Sequence, residues 1–345
     1  MVNIAIIGAG YWGPNLIRNF HQIKGSKVLM VCDASQERLD FIKNQYPDIK
    51  LTKNFNEAIA SPEIDAVVIA LPVSLHHKFG KKVLEAGKHV FIEKPLATTS
   101  SEAKELIKLA RKNKKILMVG HTFLYNDAVR KAKEYIDRDE LGKIYYIYFQ
   151  RLNLGRIRQD VNAMWNLAPH DISIALYWLS EKPNKISVRG EDYLQSGVED
   201  VTFLNLEFKN KKFVLIHSSW LDPNKVRKAV IVGSKKMLIY DDVSENAKIQ
   251  LYDQGVDKKL IHIHQELPVP RTLKEWGLFI RKGEVFIPKF KFREPLKVEC
   301  SHFIDCIKKN KKPLSDGENG LEIVKILEAG QKSLKNNSRT ICLKN

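Results

Sequence analysis

Cysteine is scarce: four residues, Cys32, Cys300, Cys306 and Cys342, in a chain of 345, with no metal-ligand spacing among them. That excludes a disulfide-stapled secreted scaffold and fits free thiols in a reducing compartment, so the expected location is the cytoplasm. Glycine (18) and proline (13) together make up under a tenth of the chain, which excludes collagen-like and Pro/Gly-disordered chains. No stretch approaches the roughly 18 uninterrupted apolar residues of a membrane span, so no membrane partner is expected. The opening MVNIAIIGAG has no basic segment before its apolar run and reads as a strand, not a secretory leader. Acidic residues are the minority charge, 40 against 57 Lys and Arg, a formal net of +17. Such an excess attracts polyanions in general. The bases are spread over 104–115, 209–212, 225–228 and 308–312, with no aromatic-interleaved stripe. Nucleic acid is therefore not an expected partner. A phosphorylated small molecule, or a lysine-rich solvated surface, accounts for the charge.

What is present is an ordinary globular mix, 44% hydrophobic and 28% charged, long enough for roughly two domains. In the first third, apolar runs alternate with helical stretches. Strands are expected at 2–8, 28–33, 64–71, 89–93 and 116–120, and helices at 14–23, 37–46, 78–86 and 101–112, with Ser100 or Ser101 as the last helix's cap. This alternation predicts an α/β fold with a parallel doubly wound sheet.

Gly8, Gly10 and Gly13 form G-x-G-x-x-G directly after the first strand, and Asp33 follows about 20 residues on at a strand end. In that context the first glycine makes the turn, the second admits a pyrophosphate, and the third packs helix on strand. The helix N-terminus offers N–H donors to the phosphates. Asp33 is expected to hold the adenosine ribose and to repel a 2′-phosphate, so the expected cofactor is NAD and not NADP.

Past Gly120 the pattern changes. A helix at 127–137 precedes runs rich in β-branched and aromatic residues at 144–152, 201–208, 213–220, 229–232 and 237–240, with hairpin-like Asn210-Lys211 and Gly233-Ser234 between members of the set. A helix is expected at 165–179, and two more at 294–310 and 317–334. The expectation is a dinucleotide-binding domain, 1–122, followed by an α+β domain, 123–345, with an open, mostly antiparallel sheet. Apolar residues on that sheet (Phe203, Leu204, Phe213, Val214, Ile216, Trp220) predict a face that meets another subunit, in a homodimer or homotetramer.

Four places carry candidate chemistry. Lys94, in Glu93-Lys94-Pro95, closes an apolar parallel strand where open α/β sheets place ligands; the alternative is a surface lysine. Asn166 and His170 are four apart. Pro169 suggests a helix starting around 166–168, with Asn166 as its cap and His170 near the positive dipole end, a setting for a neutral general base or for a structural histidine. Arg156 and Arg158 are candidates for a diphosphate or carboxylate, or ordinary surface charges. His262 and His264 share one strand face without the further ligands of a metal set, so no metal is expected.

Taken together, Gly8–Gly13, Leu71-Pro72 with His76, Glu93-Lys94-Pro95, Gly120-His121 with Tyr125-Asn126, and His170 resemble the glucose–fructose oxidoreductase / inositol dehydrogenase / rhizopine-catabolism (Gfo/Idh/MocA) family over nearly the whole chain. The resemblance implies NAD(P)-dependent oxidation of sugar or cyclitol alcohols, with Lys94 on the reacting hydroxyl and His170 as acid/base. It further implies cofactor contacts from Tyr11, Trp12, Leu71, Pro72, His76, Glu93 and Lys94, and substrate contacts from Tyr125 and Asn166. Asn166 stands where family members often carry Asp. The stretch from Asn153-Leu154-Gly155-Arg156 through Trp165 to Ala168-Pro169-His170-Asp171 is similar to family members acting on nucleotide-linked sugars, including UDP-N-acetylglucosamine 3-dehydrogenases. The expected reaction is therefore oxidation at C3 of a UDP-amino sugar. Reduction of a nucleotide-linked keto-sugar, oxidation of a free sugar or inositol, and a non-enzymatic cofactor-binding regulator remain the alternatives.

Overall fold

The computed structural model describes residues 1–155, 157–258 and 278–343. It divides into two compact units, the first comprising 1–127, 172–174 and 292–332, the second the remaining described residues.

Unit 1 begins with β1 (Val2–Ile7), α1 (Gly13–Gln22), β2 (Ser26–Cys32), α2 (Gln36–Gln45), β3 (Lys50–Thr52), α3 (Phe55–Ala60), β4 (Ala66–Ile69), α4 (Val73–Glu85), β5 (His89–Glu93), α5 (Ser100–Lys112) and β6 (Leu117–Gly120). The six strands pair in parallel in the order β3-β2-β1-β4-β5-β6, so the strand order reverses between β1 and β4. Helices on both faces of a parallel sheet require both faces to be apolar. Accordingly, every residue of β4 and β6 is buried. The expected doubly wound sheet is thus present. Two short elements, β3 and α3, were not expected. α4 starts at Val73, five residues earlier than its apolar pattern suggested. α5 is capped by Thr99 in place of a serine: the Thr99 hydroxyl accepts from the Glu102 amide at 3.2 Å, while the Glu102 carboxylate accepts from the Thr99 amide, a reciprocal capping box.

After a 3-10 turn at Thr122–Tyr125, α6 (Asp127–Asp137) leads into unit 2, with β7 (Ile144–Leu152), α7 (Ala163–Leu179), β8 (Lys185–Glu191), β9 (Val201–Glu207), β10 (Phe213–Ser219), β11 (Val226–Gly233), β12 (Met237–Asp241), β13 (Ile249–Lys258), β14 (Leu278–Phe286) and, near the C-terminus, β15 (Ile341–Cys342). These strands form one nine-stranded sheet in the order β14-β13-β12-β11-β7-β10-β9-β8-β15. It is antiparallel except where β10 runs parallel to β7. Asn210 and Lys211, both at positive φ, join β9 to β10, and Gly233-Ser234 joins β11 to β12.

Period-two patterning separates the faces of this sheet. Leu204, Val214, Ile216 and Trp220 are buried, whereas Phe203, Phe213, Leu215 and Tyr145 lie on exposed positions. Of the six apolar residues named on this sheet, Phe203 and Phe213 lie on the exposed face and the other four are buried. On the buried side Trp178 of α7 stacks on Phe149 of β7 and donates its indole N–H to the Val129 carbonyl of α6 at 2.9 Å.

The helices α8 (Pro295–Lys309) and α9 (Gly317–Lys335) return the chain to unit 1. Phe303 of α8 closes an edge-on triad with Phe20 and Phe91, and Leu321 and Val324 of α9 join the core that holds Leu96, Leu106, Leu117 and Val119. A division of the chain into 1–122 and 123–345 thus leaves out two helices that belong to the first unit. A helix's apolar periodicity specifies a buried face but not the sheet that buries it.

Candidate functional site

The turn from β1 into α1 is built by close approach. Gly8 sits at φ +99°, and a Cβ there would lie 2.5 Å from the Ala70 carbonyl oxygen; a Cβ at Gly13 would lie 2.1 Å from the Gly8 carbonyl oxygen. No side chain caps α1 and no acid occupies its first turn; Pro14 has no N–H and the Asn15 amide donates to the Trp12 carbonyl at 3.0 Å, so the Gly13 amide and the partial positive charge of the helix end face a ligand. A Cβ on Gly10 would meet nothing within 4 Å. Asp33 follows β2: one carboxylate oxygen accepts from the Ala9 amide at 2.7 Å and the other from the Ser35 amide at 2.9 Å. Each oxygen keeps a second lone pair, so Asp33 both shapes the turn and can receive ribose hydroxyls. Tyr11 is 79% exposed and Trp12 38%.

The ends of β4 and β5 are held to each other by His76. Its Nδ1 lies 2.8 Å from the Pro95 carbonyl and its Nε2 2.8 Å from the Leu71 carbonyl. Burial and the charge of Lys94 push this imidazole's pKa down against the pull of the two carbonyls. The neutral ring therefore donates to one carbonyl at a time. His76 braces the Leu71-Pro72 and Lys94-Pro95 turns; Pro72 is exposed, Leu71 and Lys94 half-buried.

Glu93 ends β5 as a buried carboxyl. Its Oε1 accepts from the Trp12 indole N–H at 2.8 Å and its Oε2 from the Lys94 amide at 3.2 Å. Burial raises its pKa to about 7 although Lys94 pulls the other way. Gly120, its partner on β6, is required by this carboxyl, since a Cβ there would stand 2.9 Å from the carboxyl carbon and both oxygens. Nearby, Glu299 of α8 is fully buried, accepts from the Thr122 hydroxyl at 2.7 Å, and is held well above the usual carboxylate range by burial and by Glu93. His121, also fully buried, is pushed down to about 3 by burial and by Lys94 and stays neutral. Tyr125 is completely buried, its hydroxyl 2.9 Å from Ser315 and its ring against His302. The structure thus places Tyr125 inside the unit and not on a surface that a substrate could touch.

In unit 2 the helix bearing His170 starts earlier than expected. Its cap is Asn162, whose side-chain oxygen accepts from the Trp165 amide at 3.0 Å; Asn166 is already helical and Pro169 lies inside the helix. As the eighth residue of α7, His170 gains nothing from the dipole of the first turn, which removes that argument for its neutral form. Asn166 and His170 are both half-buried and share a helical face. The residue after His170 is fixed more firmly: Asp171 makes a two-pronged ion pair with Arg151 of β7, at 2.9 and 2.7 Å, with both side chains buried. Arg158 is likewise forked onto Asp160, at 2.8 and 2.6 Å. Arg156, His262 and His264 lie outside the described residues.

Residues 2–121 match the oxidoreductase family with an NAD-binding Rossmann fold, and residues 129–239 match the GFO/IDH/MocA C-terminal domain. The chain belongs to the Gfo/Idh/MocA family. Among its relatives, the scyllo-inositol 2-dehydrogenase (NAD(+)) of Bacillus subtilis is 26% identical over 334 residues, 91% of this chain and 88% of that protein. GenD2 from gentamicin A biosynthesis, solved in complex with NAD, superposes with a TM-score of 0.82 at 17% identity, covering 100% of this chain and 97% of that one. The UDP-N-acetylglucosamine 3-dehydrogenase GnnA from Acidithiobacillus ferrooxidans gives 0.77 at 20% identity, covering 97% of each chain. These two likenesses concern the fold.

As a Gfo/Idh/MocA member the chain is an oxidoreductase that uses NAD. The open space at Gly10, the uncapped α1 and the acceptor capacity of Asp33 fit that cofactor. Sequence reading overlooked Glu299, the Arg151–Asp171 pair and the Trp12–Glu93 bond. Only the second leaves a trace in the sequence, as a charge near the end of the apolar strand IYYIYFQRL and an acid beside the histidine.

Proposed function

We propose that this oxidoreductase removes hydrogen from a secondary alcohol of a nucleotide-linked sugar, with C3 of UDP-N-acetylglucosamine or a related UDP-amino sugar as the leading substrate and the 3-keto sugar as product. The observation that carries the reading is Lys94 at the C-terminal end of β5, in the same unit as the glycine-rich turn and beside the buried Glu93. NAD supplies the hydride acceptor when bound. Lys94 orients the substrate oxygen and stabilises its developing negative charge. His170 takes the hydroxyl proton. Asn166 binds without ionising, since an amide is no proton acceptor near neutrality. Asp33 selects NAD over NADP. The exposed aromatic face of the nine-stranded sheet, where Tyr146 stacks on Phe213 and Phe203 on His217, supports a homodimer or homotetramer. The placement in the cytoplasm rests on the four unpaired cysteines, three of them buried.

A second reading has its own support. Arg158 is already paired with Asp160, which satisfies the charge a sugar diphosphate would need, and the inositol dehydrogenase relative spans most of the chain. Both features favour a free cyclitol or sugar as substrate. Thermal denaturation with NADH present separates the two. A ligand at 100 times its Kd stabilises by about 2.7 kcal/mol, so UDP-N-acetylglucosamine and UDP should raise Tm while inositols and free N-acetylglucosamine leave it unchanged. The opposite pattern selects the second reading.

A further inference from the structure

A turn with three glycines needs external restraints to hold one shape. Here two are backbone-scale: the Gly8 amide donates to the Cys32 carbonyl at 2.8 Å, and the Ala9 amide donates to Asp33. Both act at the start of the turn, on the β2 side. A Cβ on Gly10 would meet nothing within 4 Å, Tyr11 is largely exposed, and the turn closes where Gly13 packs on the Gly8 carbonyl. The next side chain is Trp12, the residue that precedes α1.

Trp12 reaches away from β2. The sheet order places β4 between β1, from which the turn springs, and β5, where Glu93 sits. The indole N–H bond to Glu93 therefore bridges the end of β4, across the point where strand order reverses and where open α/β sheets hold their ligands. The receiving carboxyl cannot wander. Gly120 leaves room for it and for nothing larger, its other oxygen takes the Lys94 amide, and its surroundings are buried. A fixed acceptor on β5 thus adds a restraint at the far end of the turn, opposite the contacts from the β2 side.

We infer that Trp12 and Glu93 act together as a brace that sets the glycine-rich turn in its dinucleotide-binding shape, so that both are positioning residues for NAD. The inference needs only the cofactor and is independent of the sugar. Glu93 acts through Trp12, and its effect on cofactor affinity disappears once the indole N–H is gone.

The test is calorimetric titration of NADH onto the full chain, with thermal denaturation of each variant alongside. Trp12→Phe keeps a ring at a part-exposed position and deletes the donor. A hydrogen bond to a carboxylate is among the stronger ones, so NADH should bind about tenfold more weakly, with a modest fall in Tm because one buried Glu93 oxygen loses its donor. Glu93→Gln, whose amide oxygen still takes the indole N–H while the longer bond from the Lys94 amide is given up, should stay within about threefold of the wild type. Glu93→Ala should lose about as much as Trp12→Phe, and the double variant no more than either alone, the signature of one shared interaction. Wild-type affinity in Trp12→Phe overturns the inference. So do losses that multiply in the double variant, because Trp12 would then be touching the dinucleotide directly. Should Glu93→Ala not fold, Glu93→Leu takes its place in the cycle, and the Trp12→Phe affinity decides by itself.

Discussion

Replacing Glu93 by glutamine removes a titrating group from the interior of unit 1 without changing its size. The folded chain raises this carboxyl from an ordinary 4.5 to about 7, with burial as the main cause and Lys94 opposing it. Between those two values the folded chain holds a proton that the unfolded chain has released. Stability from this group is therefore present at low pH and lost as pH climbs through about 7. At about 1.36 kcal/mol for each pH unit, keeping Glu93 ionised in the fold costs about 3 kcal/mol above neutrality. Glutamine keeps an acceptor for the Trp12 indole and carries no such cost. Urea unfolding at a series of values from about pH 5 to about pH 8 should thus show the variant gaining on the wild type as pH rises, by about 2–3 kcal/mol at the upper end. The difference should level off above about pH 8, where Glu93 is fully ionised. Glu299 is a second buried carboxyl with the same sign and remains in both chains, so subtraction cancels most of its share. A difference that stays constant over the whole range would refute the reasoning, because Glu93 would then carry the same charge in the folded and unfolded chains.

Three further outcomes are expected. His170→Asn should lower turnover by about 10²–10⁴-fold and abolish the rise in turnover from acid to neutral pH that follows deprotonation of the base, and Lys94→Met should cost at least as much, with NADH affinity in titration nearly unchanged in both; unaltered turnover and pH profile in His170→Asn would make that histidine structural. Asp33→Ala should weaken NAD and narrow its advantage over NADP, and equal use of both cofactors by the wild type would remove Asp33 as the selector. Arg151→Met leaves Asp171 buried and unpaired, so unfolding experiments should report a loss of about 3–5 kcal/mol, with Asp171→Asn milder; a loss below about 1 kcal/mol would show that water reaches the pair.

The elements most legible in the sequence were those whose burial is local and complete. β5 runs over the residues that its apolar run marked, and Gly8 and Gly13 sit where the motif needs them. Legibility falls where the deciding interaction is short or distant. Lys-Leu-Thr is too brief to carry a period, and only its pairing with β2 makes it a strand. Pro169 suggested a helix start because an interior proline sacrifices a backbone bond, yet Asn162 caps the helix two turns earlier and the helix runs through the proline. Thr99 and Glu102 did carry a readable capping box, hidden beside two serines that are equally good caps. The parallel contact of β10 with β7 joins segments far apart in the chain, which neither run specifies. The same holds for Glu93: its place at a strand end does not specify the burial of its carboxyl, which depends on Gly120 and Trp12 around it.

The return of the chain to unit 1 at Phe292 has a consequence for synthesis. A ribosome completes β1 to β6 early, but α8 and α9 emerge only after the whole nine-stranded sheet has been translated. Until then Phe20 and Phe91 lack Phe303, and Leu96, Leu106, Leu117 and Val119 lack Leu321 and Val324. The nascent first unit waits with part of its core open to water on both faces of its sheet, in a chain where N-terminal domains ordinarily fold first. Its dinucleotide-binding sheet is consequently no detachable cassette: cut out at Asp127 and grafted elsewhere, it would carry uncovered apolar surface into its new host.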